Sequence, residues 1–175
     1  MATVSPSGNT TAAVTYTPIA TNTLGSAAAS VTFSSIPGTY KDLVLVVDGI
    51  SSSSVNGIVL QYNGDTSNAY SLTQIGGNGS AVSSARRTSQ RFININYTGY
   101  WTNASRGNII VQIQNYSNTT TYKTCLSRGN FSAIGLDAIV GLWSSTAAIT
   151  SVTINNDDSG NIGSGTTFSL YGIGA

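Results

Sequence analysis

Six aspartates carry every side-chain carboxylate of this chain, and neither histidine nor glutamate occurs. Those two missing residues do most of the proton transfer and much of the metal binding in enzymes, because imidazole titrates near neutrality and a desolvated glutamate can be raised to meet it. Without them there is no Ser-His-Asp triad, no imidazole zinc ligand and no glutamate acid/base pair. A hydrolytic pair would have to come from Asp42, Asp48, Asp65, Asp137, Asp157 and Asp158. Asp42 and Asp48 bracket one expected strand, and six residues of extended chain span roughly 20 Å, too far for a pair. Asp157 and Asp158 are neighbours in a turn-like stretch. The expectation is a non-enzyme that uses no cofactor.

Four other constellations invite a binding role. Arg86, Arg87 and Arg91 lie close together in a Ser- and Gln-rich stretch between two expected strands. They read as a docking patch for an acidic protein surface or as a solvated loop. A net charge of +1 argues against nucleic acid, whose binders are usually strongly basic. Tyr97, Tyr100 and Trp101 sit in NYTGYW, where rings beside amides and hydroxyls suit a sugar, and suit equally a core or interface anchor. Asn155, Asp157 and Ser159 alternate ahead of Gly160 as oxygen ligands do in a calcium loop. No glutamate closes that loop, so an Asx-rich turn is the better reading and no metal is expected. Gly76-Gly77-Asn78-Gly79 lacks the following helix pattern and the Lys-Ser/Thr of a phosphate cradle.

These residues need a scaffold, and the composition says which kind. The 26 Ser, 23 Thr and 16 Asn are accompanied by 19 Gly, while charged residues make up 7 % against about 25 % in an ordinary soluble domain. Thr suits strands, and Ser, Asn and Gly suit turns. The Glu, Lys, Gln and Arg that build exposed helix faces are scarce. About ten short strands can be traced from residue 31 onward. Leu43–Val47 is continuously apolar; Ile109, Val111 and Ile113 alternate against Gln112 and Gln114; Ile139–Trp143 is apolar throughout, and Phe168, Leu170 and Ile173 close the chain. The Gly-flanked Leu136–Ile139 stretch has room for one helical turn. The fold expected is all-β, a two-sheet jelly-roll-like β-sandwich over residues 31–175. Residues 1–30, uncharged and poor in large apolar side chains, read as an extended arm that orders against a neighbour, with Val14, Tyr16 and Ile19 pinning its second half as a short strand.

Cys125 stands alone, which rules out an intrachain disulfide and predicts a buried, unreactive thiol. No basic segment precedes an apolar stretch at the N-terminus, and no apolar run is long enough to span a bilayer. Synthesis in a cytoplasm, with no membrane partner, is the expectation. So weak a net charge leaves little long-range repulsion between copies, which suits a subunit packed into an assembly.

Several stretches also carry a resemblance: LGSAAASVTFSSIPGTYKDLVLVV (24–47), NGD (63–65), QNYSNTTTYKT (114–124), GLWSSTAAITSVTI (141–154) and SGTTFSLYGI (164–173). From about residue 14 to the C-terminus the chain resembles a family of tailed-phage virion proteins described as structural, capsid-decoration or tail-fibre-like. The resemblance implies a β-sandwich building block, trimeric, in the virion. The expected role is a capsid decoration or cement protein, with the major capsid protein and copies of itself as partners. Tyr16, Ile19, Arg86, Arg87 and Arg91 are the expected contact residues. The alternative is a tail-fibre or receptor-binding module that holds host polysaccharide through Tyr97, Tyr100 and Trp101. A free carbohydrate-binding module is a third, less favoured class.

Overall fold

Alternation of apolar and polar residues does most of the folding. In Lys123–Phe131 every second residue is buried, and the same period of two runs through Gly107–Gln114 and Thr167–Ile173. A computed structural model of the chain describes residues 15–52, 57–97, 101–104, 106–131, 133–157 and 160–174. These residues form twelve strands: β1 Thr17–Thr23, β2 Ser30–Phe33, β3 Asp42–Gly49, β4 Ile58–Tyr62, β5 Tyr70–Gly77, β6 Val82–Gln90, β7 Ile93–Asn94, β8 Gly107–Gln114, β9 Lys123–Phe131, β10 Gly135–Trp143, β11 Val152–Asn156 and β12 Thr167–Ile173.

The strands make two antiparallel sheets, an all-β sandwich as the composition predicts. The larger sheet has eight strands in the order β1-β12-β3-β8-β9-β10-β5-β6, and the smaller has four in the order β2-β11-β4-β7. One core fills the space between them. Leu43, Leu45, Val47, Ile109, Val111, Ile113, Phe168 and Leu170 come from the large sheet, and Val31, Ile58, Leu60, Ile93, Val152 and Ile154 from the small one. Each such side chain contributes about 1.5–3 kcal/mol by leaving water. Trp143 packs with Tyr62 and Tyr70, centroids 5.6 and 6.3 Å away, and closes one end of the core.

Two local expectations give way to the structure. Residues 82–90 form β6 rather than a loop, an edge strand with most of its residues exposed. Leu136–Ile139 lies within β10 and has no helical turn. The second half of the arm holds a short strand, β1, which runs along β12 from Thr17 to Thr23 and belongs to the large sheet. The first half of that arm, residues 1–14, lies outside the described residues.

The NGD motif is a turn that ties two loops together. Asn63 and Gly64 both have positive φ, 52° and 67°, a conformation that Asn and Gly adopt most readily. Asn63 Oδ1 accepts the backbone N–H groups of Thr150 and Ser151 at 2.8 and 3.0 Å, and its Nδ2 donates to Ala148 O at 2.8 Å.

Candidate functional site

The five described aspartates are each engaged in a structural hydrogen bond. Asp42 Oδ1 accepts Asn115 N at 2.7 Å, and Asp48 Oδ1 accepts Arg106 Nε at 3.1 Å. Asp65 accepts Ser67 N and Trp143 Nε1 at 2.8 and 2.7 Å; these bonds hold its carboxyl below the usual carboxylate range. Asp137 Oδ2 accepts Tyr97 N at 2.7 Å, and Asp157 Oδ2 accepts Asn94 Nδ2 at 3.0 Å. Each carboxylate thus ties one element to another. Among the described residues no group of three His, Cys, Asp or Glu side chains is placed to hold a metal ion. Asp158 lies outside the described residues.

The three arginines do not form one patch. Arg86 is exposed on β6 and pairs with Thr73 across β5. Arg87, next in sequence, points to the opposite face of the sheet. Its guanidinium carbon lies 3.9 Å from the centroid of the Tyr97 ring, and Nη1 donates to Asn94 Oδ1 at 3.3 Å. Arg91 Nε donates to Thr66 O at 2.9 Å. Two of the three therefore brace the fold, and one is available to a partner. Tyr16 is 48 % exposed and meets Tyr171 edge-on, while Ile19 packs against the core.

The aromatic trio is not an exposed platform either. Trp101 is fully buried, so its ring cannot stack on a sugar. It lies over Gly49 and Gly107, which are partners across β3 and β8. Tyr97 is half-buried beneath Arg87, and Tyr100 lies outside the described residues. A ring next to amides in sequence fits a core anchor as well as a sugar platform, and here packing decides. Cys125 is buried as expected, and burial pushes its thiol up to about 11. Lys123 is buried too. Its Nζ donates to Thr121 O and Thr146 O at 2.7 and 3.1 Å, and desolvation lowers its pKa.

Two surfaces remain open to a ligand or partner. The first is the outer face of the large sheet over β9, β10, β5 and β6. Ile75, Val82, Leu126, Leu136 and Val140 are between 42 and 77 % exposed there. The register lines them up: Val140 opposes Leu126 on one side and Thr73 on the other, and Leu136 opposes Gly77, which opposes Val82. Ile75, Val82 and Leu136 line an entirely apolar groove of about 270 Å³. Arg86 and Arg128 border two further grooves on this face, of about 260 and 300 Å³.

The second surface is a cleft of about 380 Å³ on the outer face of the small sheet. Asn155 pairs with Ser30 on β2 and Val59 on β4, and Thr153 beside it pairs with Gln61. Asn155, Ser30, Val59 and Gln61, with Phe92 and Asp157, line the cleft. Asn155 Nδ2 donates to Gln61 Oε1 at 2.8 Å, and Gln61 Nε2 donates to Arg91 O at 2.9 Å, so both amides have fixed orientations. The sequence offers the segment 155–161 as an Asx-rich turn or a calcium loop, whereas Asn155 and Asn156 belong to β11. Its partners come from three other segments, which no local motif connects.

No family model and no curated protein matches the chain. Among solved structures, a mutant alginate lyase in complex with an alginate tetrasaccharide aligns over 86 % of this chain and 78 % of that one. The identity is 11 % and the TM-score 0.29, a likeness too weak to carry an argument.

Proposed function

We propose that this protein is a non-enzymatic structural component of a tailed-phage virion, a capsid decoration or cement protein that reinforces the head lattice as an oligomer, a trimer by its resemblance. The observation that carries the reading is the outer face of the large sheet. Five large apolar side chains stand exposed on adjacent strands, among neutral residues and two arginines. Scattered exposed apolar residues are ordinary; a contiguous set is the mark of an interaction surface. The near-neutral chain adds little repulsion between copies. The engaged aspartates support the absence of catalysis: each described carboxylate already accepts a hydrogen bond that holds the fold.

The mechanism is burial. Apolar side chains on the face leave water against the major capsid protein or another copy, and Arg86 and Arg128 pair with acidic groups at the rim of that contact. An oligomer engages several capsid subunits at once, so modest contacts add up by effective concentration. Copy number in purified virions tests the role. A decoration protein is present at tens to hundreds of copies and rebinds emptied heads, whereas a fibre or receptor-binding module is present at few copies and stays with the tails.

A further inference from the structure

We propose that the cleft on the small sheet binds an uncharged, hydroxyl-rich ligand, a neutral sugar residue of a glycan. Its volume, about 380 Å³, falls in the range of small-molecule sites. Its chemistry selects the ligand class. The polar lining is made of the hydroxyl of Ser30, the amides of Gln61, Asn155 and Asn156, and the carboxylate of Asp157, beside the apolar surfaces of Val59 and Phe92. Among the described residues no lysine or arginine side chain lines the cleft: Arg91 is held by Thr66, and Arg87 is turned onto Tyr97 and reaches Asp157 only through Asn94, which both bond. A phosphate, sulfate or uronate would meet the Asp157 carboxylate in a lining that holds no lysine or arginine among the described residues. A purely apolar ligand would strand the amides without hydrogen bonds, a costly outcome. Sugars present hydroxyls along their edges and C–H groups on their faces, which matches amides and a hydroxyl around an aromatic ring.

The site is also pre-organised. The chain of bonds from Asn155 to Gln61 to Arg91 O fixes both amides before any ligand arrives. Asn155 Oδ1 and Ser30 Oγ make no hydrogen bond among the described residues, which leaves an acceptor and a hydroxyl for the ligand. A pre-set amide loses little entropy on binding. The cleft lies on the sandwich face opposite the apolar surface, so sugar binding and assembly can be lost separately.

The test is isothermal titration of the full chain with neutral trisaccharides (maltotriose, cellotriose, mannotriose and tri-N-acetylchitotriose) and with an alginate trisaccharide as the charged counterpart. At least one neutral sugar is expected to bind with millimolar or tighter affinity and to exceed the alginate probe. Asn155→Ala and Phe92→Ala should each weaken it by about tenfold, the loss of one good contact. The milder Ser30→Ala should weaken it as well while keeping the melting temperature, and Thr21→Ala, exposed on β1 and outside both surfaces, should leave it unchanged. Absence of heat with every neutral sugar at tens of millimolar, preference for alginate, or unchanged affinity in all three cleft variants would each overturn the proposal.

Discussion

Replacing Trp101 with alanine separates the two roles open to an aromatic in NYTGYW. The indole lies in a slot whose floor is the glycine pair Gly49 and Gly107. A Cβ on Gly49 would stand 2.6 and 2.7 Å from the ring carbons Cζ3 and Cη2, and one on Gly107 would stand 2.5 Å from Nε1. These partners are a rigid ring and a strand backbone, so neither can yield cheaply. Removing a fully buried Trp costs about 3–5 kcal/mol, which in a chain of 175 residues lowers the melting temperature by about 6–20 °C. Gly49→Ala overpacks the same slot at a cost of about 1–3 kcal/mol, near the upper end because Thr166 Cγ2 presses from the other side. In the double variant the cavity left by the indole accepts the new methyl group. The combined loss should therefore fall short of the sum by about 1–2 kcal/mol. Equilibrium unfolding in urea followed by far-ultraviolet circular dichroism measures all three variants. A loss below about 1 kcal/mol for Trp101→Ala, as at an exposed position, would refute the buried placement. Additivity within about 0.5 kcal/mol would refute the shared slot.

Asp65, held below its ordinary pKa by Ser67 and Trp143, contributes stability that is present above the unfolded carboxylate value and is lost as pH falls through the lower folded value. Asp65→Asn should thus flatten the fall of the urea midpoint below about pH 4, at a cost near neutrality of about 1 kcal/mol given its partial exposure. An unchanged acid slope would contradict the assignment. The Cys125 thiol, raised to about 11 by burial, should resist alkylation at pH 8 in the folded protein and react at the rate of unfolding in denaturant, as mass spectrometry will show. Rapid labelling of the native chain would be the contrary result. Gly172→Ala drives a methyl group into the Tyr40 ring and should cost about 1–3 kcal/mol in the same urea assay; no loss would mean that Tyr40 does not pack there.

The sequence made the sandwich readable wherever one face of a strand meets the core. The alternation of β8, β9 and β12 is visible as letters because burial enforces it. Strand β6, VSSARRTSQ, shows no such pattern because most of its residues stay in water; backbone pairing to β5 holds it. The run Ile139–Trp143 reads as uniformly buried, yet Val140 is 54 % exposed, and that excess is what marks the outer face. Arg86 and Arg87 look equivalent in sequence, but the period of two sends them to opposite faces. The cleft was illegible for a different reason. Ser30, Gln61, Phe92 and Asn155 come together only once β2, β11 and β4 pair, and hydroxyls and amides are too common in this chain to mark a site by themselves.

In the proposed role the protein works through the apolar outer face of its large sheet. Sedimentation velocity of the purified chain over a concentration series, beside a Val140→Asp variant, tests it most directly. The replacement sits at a 54 % exposed position, where the fold tolerates a charge and an interface does not. Concentration-dependent oligomers are expected for the native chain and a folded monomer for the variant. A native chain that stays monomeric at every concentration, or an oligomer that survives the aspartate, would contradict it.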